Sequence, residues 1–362
     1  MDFSVFMIAM GRGRRSDREI FEYVMADVAL AEELGFNAVW FAEHHFRADF
    51  SLSPAPNVFI AAAAAITERI NLGAAVNVLP FHHPVTLAEQ GAMLDVLTDG
   101  RFQWGIGRGI AGAEFAPWGI DPAESRDRFR EVHDAVIQAW TTGRVGFEGR
   151  FYRVADAPLV PSIVQGPHPP VWVSAQSPDS VTWAAEHGYR VMQVGEPLDR
   201  GREHAQRYAE VVASQGVAAD PRGAIVPLRY VHVAETDEAA RKACASSIGE
   251  FWSHFSRIAA PGGSASKAKG YEYWNDAKTS LQQYADLGYD GLNEEGIIIT
   301  GSPETVIEGV QRQIDELGVT HLMCDFWRGA PSMDDRRESM RLFATEVMPA
   351  FQQAGTATSV AG

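Results

Sequence analysis

The sequence predicts an α/β fold, a closed TIM-type (β/α)8 barrel with insertions. Strand-like and helix-like segments alternate along nearly the whole chain of 362 residues. The strand-like segments are almost continuously apolar, as expected for strands that are covered on both faces. Eight strands that each lead to a helix are the number that closes this kind of barrel. An open, doubly wound sheet is the second fold that the alternation allows.

The strands are predicted from short runs rich in β-branched and aromatic residues, which favour extended backbone. In a parallel barrel, the carboxyl ends of all strands meet at one mouth, where functional residues collect. The predicted strands lie at residues 3–10, 38–42, 70–79, 102–106, 171–175, 191–194, 225–233 and 321–326.

The helices are predicted from apolar residues at helical spacing and from capping residues. The first begins at Ser16, with Glu19 three residues later as a capping box, and it ends at Gly35. Six further helices are predicted at residues 56–66, 84–97, 125–140, 180–187, 202–214 and 337–351.

No break in composition divides the chain, so we expect a single barrel domain over residues 1–362. Residues 142–170 are rich in Gly and Pro and should form surface loops or a small hairpin. A second insertion, residues 257–275, contains PGGSASKAKG and fits either a mobile lid or a disordered surface segment. Residues 353–362 are expected to form a disordered tail.

The composition narrows the range of partners. Lys and Arg number 31 against 47 Asp and Glu, a net charge of −16, and no basic patch is visible. Nucleic acid and anionic membranes are therefore not expected as partners. The longest fully apolar run is nine residues, which is too short to span a bilayer. Two distant cysteines and the lack of a recognisable signal peptide favour a cytoplasmic protein.

Titratable residues follow the second predicted strand. Glu43, His44 and His45 come directly after the apolar run that ends at residue 42. Such groups are costly to desolvate at the end of an interior strand, and perturbed titrating groups cluster at functional sites. Neighbouring strand residues point to opposite faces, so His44 and His45 should diverge. A loop-capping histidine beside a solvated one is the alternative interpretation.

Two other strand ends together suggest a phosphate site. Arg108 lies between Gly107 and Gly109 after the fourth strand, where glycines permit close ligand approach and the guanidinium can bind phosphate. Ser177 and Ser180 lie at a helix start after the fifth strand, where an anion is favoured. A salt-bridged turn and simple N-capping remain the respective alternatives.

A metal centre is not favoured by the histidine pattern. Four histidines occur in two adjacent pairs, at positions 44, 45, 82 and 83. Members of a pair on a strand point apart, and no HExxH or H-x-H spacing accompanies them.

Seven motifs in this order resemble the bacterial luciferase-like flavin monooxygenases, and most of all their catalytic alpha-subunit branch. The motifs span nearly the whole chain. They are FAEHHF (41–46), NVLPFHHPVTLAEQ (77–90), LTDGRFQWGIGRG (97–109), SAQSPDSVTWAAEHG (174–188), KGYEYW (269–274), GSPETVIEGV (301–310) and RLFATEVMPAF (341–351).

The resemblance implies an enzyme that binds reduced FMN and reacts with O2 through a flavin C4a-peroxide. Its substrate would be an aldehyde, a ketone or another apolar organic compound. Reduced FMN would come from a separate flavin reductase, so the chain would be the oxygenase half of a two-component system. A homodimer through the helices at residues 56–66 and 84–97 is also implied.

The resemblance further assigns residues by position. His44 would act in acid–base chemistry, and a non-prolyl cis peptide is expected at Ala75–Val76. The phosphate would be bound by Arg108, Gln176, Ser177 and Ser180, and the isoalloxazine ring would be surrounded by Glu43, Ala75 and Gly107.

Three departures accompany this resemblance. Gly107 replaces a cysteine of luciferase, and Gln176 replaces a glutamate. Gly195 replaces a tryptophan beside the flavin, which should open the pocket and favour a monooxygenase that emits no light. Two alternatives remain open, namely a deazaflavin-dependent hydride-transfer enzyme and a non-catalytic flavin-binding subunit.

Overall fold

A computed structural model describes residues 1–10, 15–110, 112–215, 221–259, 271, 282–327 and 332–352. Within these residues the chain forms twelve strands, most of which belong to one parallel sheet. They are β1 (Asp2–Met7), β2 (Ala38–Phe41), β3 (Asn71–Ala74), β4 (Asn77–Val78), β5 (Phe102–Gly107), β6 (Phe147–Glu148), β7 (Arg153–Val154), β8 (Val171–Ser174), β9 (Arg190–Val194), β10 (Ile225–Val233), β11 (Ile298–Gly301) and β12 (His321–Asp325).

The parallel sheet closes into a ring. The strand order is β1, β2, β3, β5, β8, β9, β10 and β12, and β12 pairs again with β1. The closing register pairs Asp2 with His321, while Leu228 of β10 pairs with Met323 on the other side of β12. The predicted eight-stranded barrel is therefore confirmed, and the open sheet is not formed.

Helices follow the strands, and the first has the predicted capping box between Ser16 and Glu19. Over the described part of the chain the α-helices are α1 (Asp17–Glu33), α2 (Pro56–Ala64), α3 (Pro84–Leu97), α4 (Gly112–Phe115), α5 (Ser125–Thr142), α6 (Pro178–Glu186), α7 (Leu198–Ser214), α8 (Asp237–Ala259), α9 (Gln282–Glu294), α10 (Pro303–Leu317), α11 (Met333–Leu342) and α12 (Met348–Gln352). In this same part, no helix is both long and apolar enough to cross a membrane.

The structure differs from the predicted elements in three ways. The third predicted strand is divided into β3 and β4, and the cis peptide expected at Ala75–Val76 lies between them. The last predicted helix is divided into α11 and α12 by a π-helical turn at Phe343–Val347. Helix α4, strand β11 and helices α8 to α10 were not predicted, although Ser302 caps α10 through the backbone N–H of Thr305. The 142–170 insertion contains the β6–β7 hairpin, as expected.

Large side chains fill the amino-terminal part of the barrel. The Trp40 and Trp172 rings meet edge to face with centroids 4.8 Å apart, and both are buried. His321, the first residue of β12, lies 5.5 Å from the Trp172 ring. Gly73 is required beside Trp40, because a Cβ there would lie 2.3 Å from the indole. Since aromatic packing occupies this end, the opposite end is where a ligand can enter.

Candidate active site

A cavity of about 1120 Å³, its open mouth included, lies at the carboxyl ends of the strands. It is bounded by residues at the carboxyl ends of β1, β2, β3, β5, β8 and β9 or just after them. All eight residues that the sequence singled out line this one cavity, namely Glu43, His44, Ala75, Gly107, Arg108, Gln176, Ser177 and Ser180. Residues more than 130 positions apart are thus brought together by the closure of the ring.

The walls between these polar groups are largely apolar. Phe6, Phe50, Val76 and Val194 contribute side chains to the lining. Gly107 lets its strand lie close to Val76, because a Cβ at that position would lie 2.4 Å from Cγ2 of Val76. A mostly apolar cleft with a few convergent polar groups is typical of a cofactor or small-molecule site.

The Glu43 carboxylate is buried and fully engaged by hydrogen-bond donors. The Nε2 atoms of His45 and His82 lie 3.0 and 2.9 Å from its oxygens, and the backbone N–H of Val78 donates at 3.2 Å. Burial alone would raise the pKa of Glu43, but the hydrogen bonds from the two imidazoles outweigh it and hold the pKa at about 2. The cavity therefore carries a fixed negative charge at neutral pH.

His45 has a structural role that the sequence did not predict. Alternation along the strand predicted that the His44 and His45 rings would diverge, and the two rings contact different carboxylates, Glu114 and Glu43. The His45 ring is buried and helps to hold the Glu43 carboxylate at the cavity.

His44 forms a pair with a carboxylate that sequence reasoning missed. Nδ1 of His44 lies 3.2 Å from Oε1 of Glu114, and the Phe50 ring packs edge to face on the imidazole at 4.6 Å. Glu114 is a lone acidic residue in the four-residue helix α4. No periodicity or spacing in the sequence distinguishes it, and only the fold brings it to the cavity.

The predicted phosphate residues lie together on the other side of the cavity, where β5 and β8 end. Ser177 caps α6, and its hydroxyl lies 2.9 Å from the hydroxyl of Ser180. The two serines at the start of α6 therefore both take part in its N-cap and line the cavity. The side-chain amide of Gln176 donates to the backbone carbonyl of Val194 at 2.7 Å, which fastens this turn to β9.

Further arginines lie next to this group. A second cavity of about 410 Å³ shares Arg108 and Ser180 with the first, and it is also lined by Arg126 and Arg130 of α5. Arg126 donates to Asp179 at 3.0 Å. These arginines were missed because the start of α5, SRDRFRE, has the composition of an ordinary solvated helix face.

Tyr271 covers Arg108. Its ring centroid lies 4.2 Å from the guanidinium carbon, and its hydroxyl donates to the backbone carbonyl of Gly109 at 3.0 Å.

Apart from Tyr271 and helical backbone at 257–259, the predicted lid, residues 257–275, lies outside the described residues. The predicted disordered tail, residues 353–362, also lies outside them.

Gly195 does not leave the expected opening. A Cβ at this glycine would lie 2.7 Å from Cη2 of Trp252, so the ring of Trp252 occupies the neighbouring space. Trp252 comes from α8, which was not predicted, and it is buried against Tyr230 and Tyr284. The expected enlargement of the pocket at this position is therefore wrong.

Replacing Glu43 tests the charge network at this site. Glu43→Gln should lower the free energy of unfolding by about 1.5–3 kcal/mol at neutral pH, because hydrogen bonds to a charged acceptor are lost. A carboxylate with a lowered pKa stabilises the fold above its unfolded pKa of about 4.3, and this contribution fades as the pH falls towards the folded value. The deficit in the free energy of unfolding of Glu43→Gln, relative to the wild type, should therefore be largest above about pH 5 and shrink below about pH 4.

Urea unfolding at a series of pH values measures this deficit. Glu148→Gln, at an exposed position of the β6–β7 hairpin, is the control and should change stability by less than about 0.5 kcal/mol. A Glu43→Gln deficit that is constant across the series would contradict the account.

The chain matches the family model described as luciferase-like monooxygenase over residues 1–321. It is 26% identical over 364 residues to an alkanal monooxygenase alpha chain of Photorhabdus luminescens, with 98% of each chain covered. It is 28% identical over 370 residues to the oxygenase component of the flavin-dependent trigonelline monooxygenase of Acinetobacter baylyi, with 98% of this chain and 96% of that one covered.

A solved structure agrees with these matches. Monooxygenase RslO1 from Streptomyces bottropensis has a TM-score of 0.80 and 28% identity to this chain, covering 97% of this chain and 100% of its own. Because the family model matches most of the sequence, the chain belongs to the luciferase-like monooxygenase family and is an enzyme of that type.

Proposed function

We propose that this protein is the oxygenase component of a two-component system, which uses reduced FMN and O2 to oxygenate an aldehyde, a ketone or another apolar organic substrate. One observation carries the proposal. The same, largely apolar cavity is lined by two groups of residues. Residues that could donate hydrogen bonds to a phosphate lie at the ends of β5 and β8, and an imidazole–carboxylate pair lies at the end of β2. The distant relative that is named as an oxygenase component supports the division of labour.

The donor set fits the phosphate of FMN. Arg108 offers a charged fork, and the hydroxyls of Ser177 and Ser180 stand at the amino terminus of α6, where the helix dipole favours an anion. Arg126 of the adjoining cavity adds positive charge, although Asp179 partly balances it. A monophosphate dianion is the ligand for which this combination of donors is suited.

The remaining lining fits a flat ring and a proton-transfer step. Gly107 and the Ala75–Val76 peptide, which line the cavity, would face the ring, and Glu43 would lie beside it. Reduced FMN would supply the electrons that activate O2. The chain itself would hold or move a proton at Nε2 of His44, while Phe6, Phe50 and Val194 exclude water from the reacting atoms.

The direct test is oxygen uptake and product analysis with chemically reduced FMN and a panel of aldehydes, ketones and aromatic compounds. We expect at least one compound to be oxygenated with one O2 consumed per product. Reduced deazaflavin is tested in parallel without oxygen. Oxidation of deazaflavin coupled to substrate reduction, with no oxygenation by FMN, would contradict the proposal.

Arg108→Ala should weaken the binding of FMN by about 1.5–3 kcal/mol, which corresponds to a roughly 10- to 150-fold higher Kd, because a charge-assisted contact is lost. Fluorescence titration of FMN measures this. Arg18→Ala, which removes only an exposed i,i+4 pair with Glu22, is the control and should leave the Kd unchanged. Equal affinity of the two variants would place the phosphate elsewhere.

His44→Ala should bind FMN almost as tightly as the wild type, since the proposed phosphate-binding residues follow other strands. Its yield of product per O2 consumed should fall by roughly 10²–10⁴, the usual size of a general acid–base contribution, and hydrogen peroxide should rise in compensation. His187→Ala, at the exposed end of α6, is the matched control. Coupled product formation by His44→Ala would show that this imidazole has no part in the reaction.

We also propose that two copies of the chain pair through α2 and α3. Both helices expose apolar side chains, and such surfaces commonly mark an interface. The exposed residues are Val58, Met93, Val96 and Leu97.

The double substitution Val58→Asp and Met93→Asp should convert a dimer into a monomer, because it places charge in an apolar contact. Sedimentation velocity at micromolar concentration measures the mass. Val160→Asp replaces a side chain that is equally exposed, at 69%, but lies in the 142–170 insertion, and it should leave the dimer intact. A monomeric wild type, or dissociation by Val160→Asp alone, would contradict the proposed face.

A further inference from the structure

Glu114 is held in place independently of the histidine that it contacts. It belongs to α4, whose next residue, Phe115, is completely buried against Val78 and Phe81. The Glu114 side chain is only 4% exposed, although it lines the cavity. Because Phe115 anchors the short helix in the core, the carboxylate is presented at a fixed position.

One oxygen of this carboxylate serves two consecutive residues. Oε1 of Glu114 accepts the backbone N–H of His45 at 3.0 Å and lies 3.2 Å from Nδ1 of His44. An ionised carboxylate oxygen is only an acceptor, so it can form a hydrogen bond with Nδ1 only if Nδ1 carries a proton. A neutral His44 ring is then protonated at Nδ1, and its second nitrogen, Nε2, is the lone-pair atom that can meet a ligand.

The ring is restrained on another side as well. The Phe50 ring packs edge to face on His44, with an angle of 73° between the planes. An aromatic wall and a charged acceptor together restrict rotation of the imidazole. These contacts define which nitrogen of His44 can take part in proton transfer.

We propose that Glu114 is the positioning residue for His44, fixing the Nδ1–H tautomer so that Nε2 acts first as a proton acceptor. This inference rests on the proposed function. A proton from the reacting O–H group moves to Nε2, the ring becomes an imidazolium, and the Glu114 carboxylate stabilises its charge. The same proton is later donated from Nε2 to the oxygen that carries the negative charge after oxygen transfer, so the charges balance and His44 returns to its starting form.

The tautomer is measured on the full chain without any flavin. Protein with ¹⁵N-labelled histidine is studied by long-range ¹H–¹⁵N correlation at about pH 8.5, above the usual histidine pKa of about 6.5. The signals of His44 are identified by their loss in His44→Gln. His133 supplies an internal reference, since its Nδ1 lies 2.8 Å from the Asp134 carboxylate, away from the cavity.

We expect His44 to be protonated at Nδ1 in the wild type and to change to the Nε2–H form in Glu114→Ala, because an unrestrained imidazole in water prefers that form. Glu114→Gln, which keeps an oxygen acceptor, should retain the Nδ1–H form. His133 should stay the same in every variant. An Nε2–H form of His44 in the wild type, or no change in Glu114→Ala, would overturn the proposal.

The second measurement is the yield of product per O2 in the single and double variants. Glu114→Ala should lower the yield by at least about tenfold, and by no more than the roughly 10²–10⁴ expected for His44 itself. FMN affinity should not change. The double variant with His44→Ala should be no worse than His44→Ala alone, since Glu114 acts through that ring.

If the fold-loss of yield in the double variant equals the product of the two single losses, Glu114 acts separately from His44. This outcome would also overturn the proposal. Glu114→Gln separates charge from geometry, because it should keep the tautomer yet lose part of the yield. If no compound in the panel is oxygenated, the proposed function fails, whereas the tautomer result stands on its own. The two failures are therefore distinguishable.

Discussion

Closure of the parallel ring is the constraint on which the site depends. When β12 pairs with β1, the carboxyl ends of all eight ring strands are brought to one mouth. Parallel pairing also gives every strand the same direction, so polar residues that follow different strands face the same space. Aromatic side chains pack at the amino-terminal end, and the cavity lies at the mouth. Without closure, the residues after β2 and those after β8 would have no common cavity.

Two buried carboxylates at this mouth have different hydrogen-bond partners. Glu43 is saturated by the rings of His45 and His82 and by a backbone N–H, so its charge is fixed and its capacity as an acceptor is used. Glu114 contacts the backbone of His45 and the ring of His44. The neighbouring histidines therefore have different surroundings, and only His44 has an imidazole that lines the cavity.

Much of the barrel could be predicted because each of its strands leaves a local signal. Apolar runs of the right length marked all eight ring strands, and the capping box at Ser16 marked the start of the first helix. The residues between the seventh and eighth strands were harder, since α8 carries many small residues and β11 has only four residues. Their contribution, including Trp252 beside Gly195, became visible only in the folded chain.

The site was predictable where a strand end carried unusual residues and not where packing alone brings a residue in. Glu43, His44 and Arg108 follow apolar runs directly, which makes them conspicuous. Glu114 and Arg126 belong to helices of ordinary composition, and their proximity to the cavity depends on how those helices pack. His44 and His45 contact different carboxylates, in line with their expected divergence, but the contact of the His45 ring with Glu43 was not predicted.

A crystal structure of the protein with FMN tests the central claim most directly. The account predicts a phosphate bound by Arg108, Ser177 and Ser180, and a ring that lies against Gly107 and the Ala75–Val76 peptide. His44 should face the ring or the space beside it through Nε2. A phosphate held in the adjoining cavity by Arg126 and Arg130, or a flavin bound outside the barrel mouth, would contradict the account.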